Sequence, residues 1–224
     1  METEAQEFRY TIDVDKRKSE TTVYDAGMAP LERFTLDQFR RELVPHACGN
    51  VLEIGAGTGV NLAYYHTDCV DSLTVTDGDE VRPVLRNRAA RRFDADGKRN
   101  AFSVEQADVE MLPYPDNAFD TVIATLVFCS VSNPQRGFQE IRRVLKPGGS
   151  YLFLEHVLPG SGYLKHALLL VNPVWMSFSR GCNLTLDTFS AIHTAGFSID
   201  WRRKSPNGVF IYGKARNDQS RTRD

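Results

Sequence analysis

The stretch that most limits how this chain can fold is Val51-Leu52-Glu53-Ile54-Gly55-Ala56-Gly57-Thr58-Gly59. Three apolar residues and one acid form a short buried-strand pattern, and alternate glycines follow at once. Asn61-Leu62-Ala63-Tyr64-Tyr65 then reads as a helix. A strand entering a glycine turn and then a helix start holds anions and nucleotides. Glycine lets backbone approach a ligand, and the helix start offers N–H groups with no internal partner. An ordinary strand-to-helix turn needs a single glycine. The spacing here is Gly55-x-Gly57-x-Gly59, whereas a dinucleotide fold uses G-x-G-x-x-G. A nicotinamide dinucleotide is therefore the second reading.

Around this core the chain alternates strands and helices. Leu31, Phe34, Leu36, Phe39 and Leu43 recur at helical spacing, with Arg40-Arg41-Glu42 assigned to the outer face, and Pro45 and Gly49 end that helix. Residues 72–76 form a second strand ending in Asp77, followed by Gly78. An acid at the carboxyl end of strand two, about 20 residues past the glycine loop, is where an unphosphorylated ribose is held. Residues 79–93 read as a helix whose arginine cluster is a solvated face. Strand three covers 101–106, strand four 119–124, and strand five 151–154 after the turn Lys146-Pro147-Gly148-Gly149. A helix starting at Pro134 precedes that turn, and another fills 186–196. Residues 197–203 and 209–214 close the chain as a hairpin. The expected fold is α/β: a Rossmann-like, doubly wound, seven-stranded and mostly parallel sheet with a C-terminal antiparallel hairpin. The expected organisation is a flexible N-terminus over 1–20, a single domain over 21–215 and a polar tail over 216–224. Within the domain, an N-terminal lid helix occupies 21–47 and a substrate-side insertion 158–185.

The motifs in this order (Glu53 to Gly59, Asp77, the A-D-x-x-x-L-P of Ala107 to Pro113, and Lys146 to Gly149) resemble those of class I S-adenosylmethionine-dependent methyltransferases of the UbiE-like kind. Three finer stretches resemble the thiol S-methyltransferase subgroup and its bacterial relatives. They are Leu126 to Val131, Glu155-His156-Val157, and Pro173-x-Trp175 followed by Gly181-Cys182-Asn183-Leu184-Thr185. The resemblance implies S-adenosyl-L-methionine as cofactor. Glu53, Gly55, Ala56 and Gly57 would lie at its methionine part, Asp77 and Gly78 at its ribose, and Asp108 and the Val109 backbone at its adenine. Thr125 and Leu126 would line the carboxyl end of strand four, and Tyr24, of the Tyr24-Asp25 pair, would fold over the cofactor. His156 would take the acceptor's proton, with Glu155 beside it, unless both only hydrogen-bond the loop. Cys129, Trp175, Met176 and Asn183 would meet a small apolar acceptor, with a thiol favoured over a quinol, a phenol or a phospholipid amine. A binding partner that keeps the pocket without catalysis is the reading from another class.

Composition narrows the partners. A net charge of −2 over 224 residues offers no basic footprint for nucleic acid. The four cysteines (Cys48, Cys69, Cys129, Cys182) lie far apart with no C-x-x-C pair, so free thiols in a reducing compartment are expected, with neither a disulfide frame nor a metal site. No signal-peptide pattern opens the chain, and no run of about 18 apolar residues occurs. These features lead to the expectation of a cytoplasmic monomer or homodimer acting on a small molecule. Peripheral membrane contact stays open.

Overall fold

The structure is a computed structural model that describes residues 35–78, 83–95, 102–160, 162–178 and 182–218. Seven strands form one sheet: β1 (Gly49–Ile54), β2 (Val70–Asp77), β3 (Phe102–Gln106), β4 (Phe119–Thr125), β5 (Leu145–His156), β6 (Ser198–Lys204) and β7 (Phe210–Arg216). Their order is β3-β2-β1-β4-β5-β7-β6. The first five are parallel, and β7 runs antiparallel between β5 and β6. The strand order reverses between β1 and β4, and in such sheets the ligand crevice opens at the carboxyl edge of that point. The doubly wound sheet with its antiparallel C-terminal pair is the expected fold.

Alternation along the strands builds two cores, as befits a sheet covered on both faces. Val51, Leu73, Val75, Ile123, Leu152 and Leu154 pack with Phe39 and Leu43 of α1 (Asp37–Leu43) and Leu85 of α2 (Pro83–Ala95). On the other face, Leu52, Ile54, Val122, Ala124, Tyr151 and Phe153 meet Phe138, Ile141 and Val144 of α3 (Pro134–Val144) and Ile192 of α5 (Thr188–Thr194). Between them, α4 spans Tyr163–Phe178. Asn133 caps α3 by accepting from the Arg136 N–H at 3.1 Å, with Pro134 at the first helical position. The Lys146–Gly149 turn lies inside β5, where Lys146 Nζ meets Asp120 Oδ1 at 2.7 Å and the buried Asn217 amide reaches the Leu145 carbonyl at 3.0 Å.

Three expectations need correction here. The helix expected over Asn61–Tyr65 is a single 3-10 turn, Val60–Ala63. Asn61 and Tyr65 turn their polar groups down onto Glu53, and those buried bonds outweigh local helical preference. Arg40, placed on the outer face, is 2% exposed. It lies four residues from Leu36 and three before Leu43, so it shares their buried stripe. Finally, Cys48 and Cys69 form a disulfide where free thiols were expected. They are 21 residues apart in sequence, but they precede neighbouring parallel strands, and Gly49 N–H donates to the Cys69 carbonyl at 2.8 Å, which brings their Cα atoms within 4.8 Å.

Candidate active site

The glycine loop follows β1 with Gly55, Gly57 and Gly59 at φ of 64°, 57° and 76°, all in the left-handed region. Their uses differ. A Cβ on Gly55 would stand 2.5 Å from Val127 Cγ2, so this glycine lets the loop pack against the segment after β4. A Cβ on Gly59 would meet Leu62 and Leu85 at 2.7 Å. A Cβ on Gly57 would meet nothing within 4 Å, so the Gly57 backbone faces open space. Its N–H donates to Asp77 Oδ2 at 2.6 Å, and the Ala56 N–H donates to the Thr76 carbonyl at 2.9 Å. The loop is thereby tied to the end of β2.

Beneath the loop lies a buried polar network. Glu53, 1% exposed, accepts from Asn61 Nδ2 at 2.9 Å and from the Tyr65 hydroxyl at 2.7 Å. Arg40 Nη1 donates to Asn61 Oδ1 at 2.6 Å and to Thr125 Oγ1 at 2.8 Å. Burial pushes the Glu53 carboxyl up, opposed by the hydrogen bonds from Tyr65 and Asn61 and by the Arg40 charge. The side chains of Glu53 and Thr125 are thus engaged inside the fold, and they hold α1, the glycine loop and β4 in one arrangement. Arg40 is the member that the sequence analysis left out of the site.

Along the same edge, Asp77 ends β2 half-buried, and Gly78 follows with its carbonyl accepting from Gln106 Nε2 at 3.2 Å. Asp108 follows β3, exposed, with Oδ1 accepting from the Glu110 N–H at 2.9 Å. Val109 buries its side chain in the second core. Leu126, just past β4, has φ 58°, and its N–H donates to the Leu154 carbonyl at 2.7 Å. A leucine in that region is strained, and such residues cluster at ligand clamps. Asp77, Asp108, Gly57 and Leu126 therefore share one sheet edge. Tyr24 and Asp25 lie outside the described residues.

Strand five brings Glu155 and His156 to this edge on opposite faces. Glu155 is fully buried; Oε1 accepts from the Val127 and Phe128 N–H groups at 3.2 Å each, and Oε2 has no hydrogen-bond partner among the described residues. Burial lifts its carboxyl to about 8, against the pull of those backbone donors. His156, 6% exposed, packs its ring 4.5 Å from Phe210, and Nδ1 has no partner among the described residues. Burial depresses its pKa to about 4, so the imidazole is neutral at physiological pH.

The segment after β5 supplies the remaining candidates except Cys129, which lies in the loop after β4. Cys129 is buried beside Cys182, with the sulfurs 3.1 Å apart, and Leu184, Leu168 and Trp175 complete that cluster. Asn183 Oδ1 accepts from Asn172 Nδ2 at 3.1 Å and from Thr185, which ties it into the turn after α4. Met176 is exposed, and its sulfur accepts from Asn172 Nδ2 at 3.5 Å. Cys129 and Trp175 are thus together, while Asn183 and Met176 belong to the α4 surface and its fastening. Leu170 and Val174 face outward at 81% and 60% exposure, so α4 does not simply cover the sheet.

Residues 52–153 match the family described as a methyltransferase domain. The chain is 31% identical over 212 residues to the human thiol S-methyltransferase TMT1A, covering 87% of this chain and 82% of the relative. It is 34% identical over 175 residues to rat thiol S-methyltransferase TMT1B, covering 74% and 69%. The fold matches an S-adenosylmethionine-dependent methyltransferase from Mesorhizobium loti with a TM-score of 0.59 and 18% identity, over 80% and 96% of the two chains. No helix among the described residues is long and apolar enough to cross a membrane. By these matches, this chain belongs to the class I S-adenosylmethionine-dependent methyltransferases.

Proposed function

We propose that the chain methylates the sulfur of a small apolar thiol. The cofactor supplies an electrophilic methyl on its sulfonium. The residues present suit it: open space over Gly57 admits the amino-acid part, Asp77 is placed to accept from ribose hydroxyls, and Asp108 from the adenine amino group. A 2′-phosphate beside Asp77 would be repelled, which favours a nucleoside with a free ribose. The one observation that carries the thiol reading is Glu155, whose buried carboxyl at about 8 lies beside Cys129 and Cys182 with one oxygen unpartnered among the described residues. A base is most effective when its pKa lies near that of the proton it takes and near working pH, and a thiol ionises near 8.5. Glu155 is the proposed base, and positioning of the acceptor supplies the rest of the rate enhancement. Turnover against a panel of small apolar thiols, amines, phenols and quinols tests this. Thiols should be preferred by at least about tenfold in kcat/KM. A preference for a phenol, quinol or amine overturns the reading.

Cofactor binding can be tested apart from the acceptor. Asp77→Ala removes both the ribose acceptor and the carboxylate that holds the Gly57 N–H. Affinity for S-adenosylhomocysteine by calorimetry should fall by about 1–3 kcal/mol. Unchanged affinity would take Asp77 off the ribose.

His156 is assigned a packing role against Phe210. A base near 4 is mismatched to a thiol by about four units, so His156→Gln should keep kcat within about tenfold of the parent. Its effect should appear in acid stability. The folded pKa lies below the ordinary 6.5, so the stability from burying neutral imidazole is present above about 6.5 and is lost as pH falls through about 4. Urea unfolding from pH 7 to pH 4 should show a shallower loss in the variant. A drop in kcat of a hundredfold or more would return His156 to the chemistry.

A further inference from the structure

The cysteine pair at the acceptor side supports an inference that stands whichever acceptor is used. Cys129 follows β4, and Cys182 lies 53 residues later, beyond α4. Both are buried, at 3% and 2% exposure, with their sulfurs 3.1 Å apart in an apolar cluster with Leu184, Leu168 and Trp175. Among the described residues, two backbone donors also tie this region together. The Asn183 N–H donates to the Cys129 carbonyl at 2.7 Å, and the Leu184 N–H donates to Asn172 Oδ1 of α4 at 2.8 Å. A covalent bond at this point would fasten α4 to the strand-four loop. A disulfide needs sulfurs at about 2.05 Å and Cβ atoms near 3.8 Å, so the thiols have about 1 Å to close.

We propose that Cys129 and Cys182 are an oxidisable thiol pair, and that a hydroperoxide converts them to a disulfide that locks α4 against the loop after β4. The Cys182 thiolate attacks one peroxide oxygen, the O–O bond breaks, and an S–O bond forms. The departing hydroxide takes up a proton as water, leaving Cys182 as a sulfenic acid. The Cys129 sulfur then displaces that hydroxyl, which leaves as water with the Cys129 proton. Two thiols and one hydrogen peroxide yield one disulfide and two waters. The order follows from the shared hydrogen bond: the Cys182 thiol donates to the Cys129 sulfur at 3.1 Å, and once Cys182 ionises the Cys129 thiol can donate to it in turn, which lowers the Cys182 thiol pKa and raises that of Cys129. Cys182 is the first to react, and Cys129 resolves.

The test uses the full chain treated with hydrogen peroxide, then denatured, alkylated and mapped by mass spectrometry. With Cys48 and Cys69 already joined, the untreated protein should take up alkyl groups at Cys129 and Cys182. After peroxide it should take up none there and should yield a linked Cys129–Cys182 peptide. Hydrogen exchange over residues 163–178 should slow by about tenfold or more on oxidation, and in Cys182→Ser it should not respond to peroxide. Sulfinic or sulfonic acids without the linked peptide overturn the proposal. So do thiols that remain alkylatable, or a linked peptide with unchanged exchange in α4.

Discussion

Glu155→Gln is expected to lower kcat for a thiol acceptor by about 10²- to 10⁴-fold near pH 7, with S-adenosylhomocysteine affinity essentially unchanged. Glutamine keeps the shape and an oxygen that can still accept from the Val127 and Phe128 N–H groups, so the loop keeps its anchor. What disappears is a base that titrates near 8. The parent's rate should rise with pH through that value. The variant's deficit should shrink above about pH 8.5, where the thiol ionises unaided. Stability should move the opposite way. The folded pKa is raised above the ordinary 4.5, so the stability from the buried neutral acid is full below about 4.5 and is lost as pH climbs through about 8. Glutamine stays neutral, so the variant should gain on the parent at pH 8 to 9. Steady-state kcat between pH 6 and 9, with urea unfolding at both ends, checks both halves. Parent-like kcat across that range would leave Glu155 as a loop anchor alone.

Arg40→Met should destabilise the fold by about 3–5 kcal/mol, the cost of stripping a buried charge network of its cation. The guanidinium bridges Asn61 and Thr125, and its charge opposes the upward push that burial gives Glu53. Removing it leaves those acceptors and a buried carboxyl uncompensated. For a chain of this size Tm should fall by about 10 °C or more. Arg40→Lys keeps the charge but loses the fork, so it should recover only part. In the Arg40→Met/Glu53→Gln pair the loss should be smaller than the sum of the singles by at least about 1 kcal/mol, because the orphaned carboxyl is gone. A loss under about 1 kcal/mol for Arg40→Met would show that the network is slack. Thermal unfolding monitored by circular dichroism measures each variant.

Several features were legible from local pattern alone. The central strands β1 and β4 announced themselves as short, largely apolar runs, since both faces of such a sheet are covered. The glycine loop, Asp77 and Asp108 could be placed because a doubly wound sheet delivers the residues after each strand to one edge. Their positions in the chain therefore fix their positions in the crevice. The Pro134 start of α3 was likewise written in residue type.

Only tertiary structure decided the rest, for one physical reason: it depends on which groups burial brings together across the chain. Asn61 and Tyr65 carried helical pattern, yet Glu53 below them drew their polar groups inward and cut the helix to one turn. Arg40 and Arg41 are neighbours of one type in the sequence; one lies buried between Asn61 and Thr125, and the other pairs with Asp37 at the surface. Cysteine spacing could not foresee that Cys48 and Cys69 precede adjacent strands, nor that Cys129 and Cys182 meet over 53 residues. Glu155 and His156 are adjacent in sequence, and burial moves them apart: it raises the carboxyl to about 8 and lowers the imidazole to about 4. Desolvation disfavours whichever form is charged, so the same dry edge drives the acid's pKa up and the imidazole's down, which residue type alone could not show.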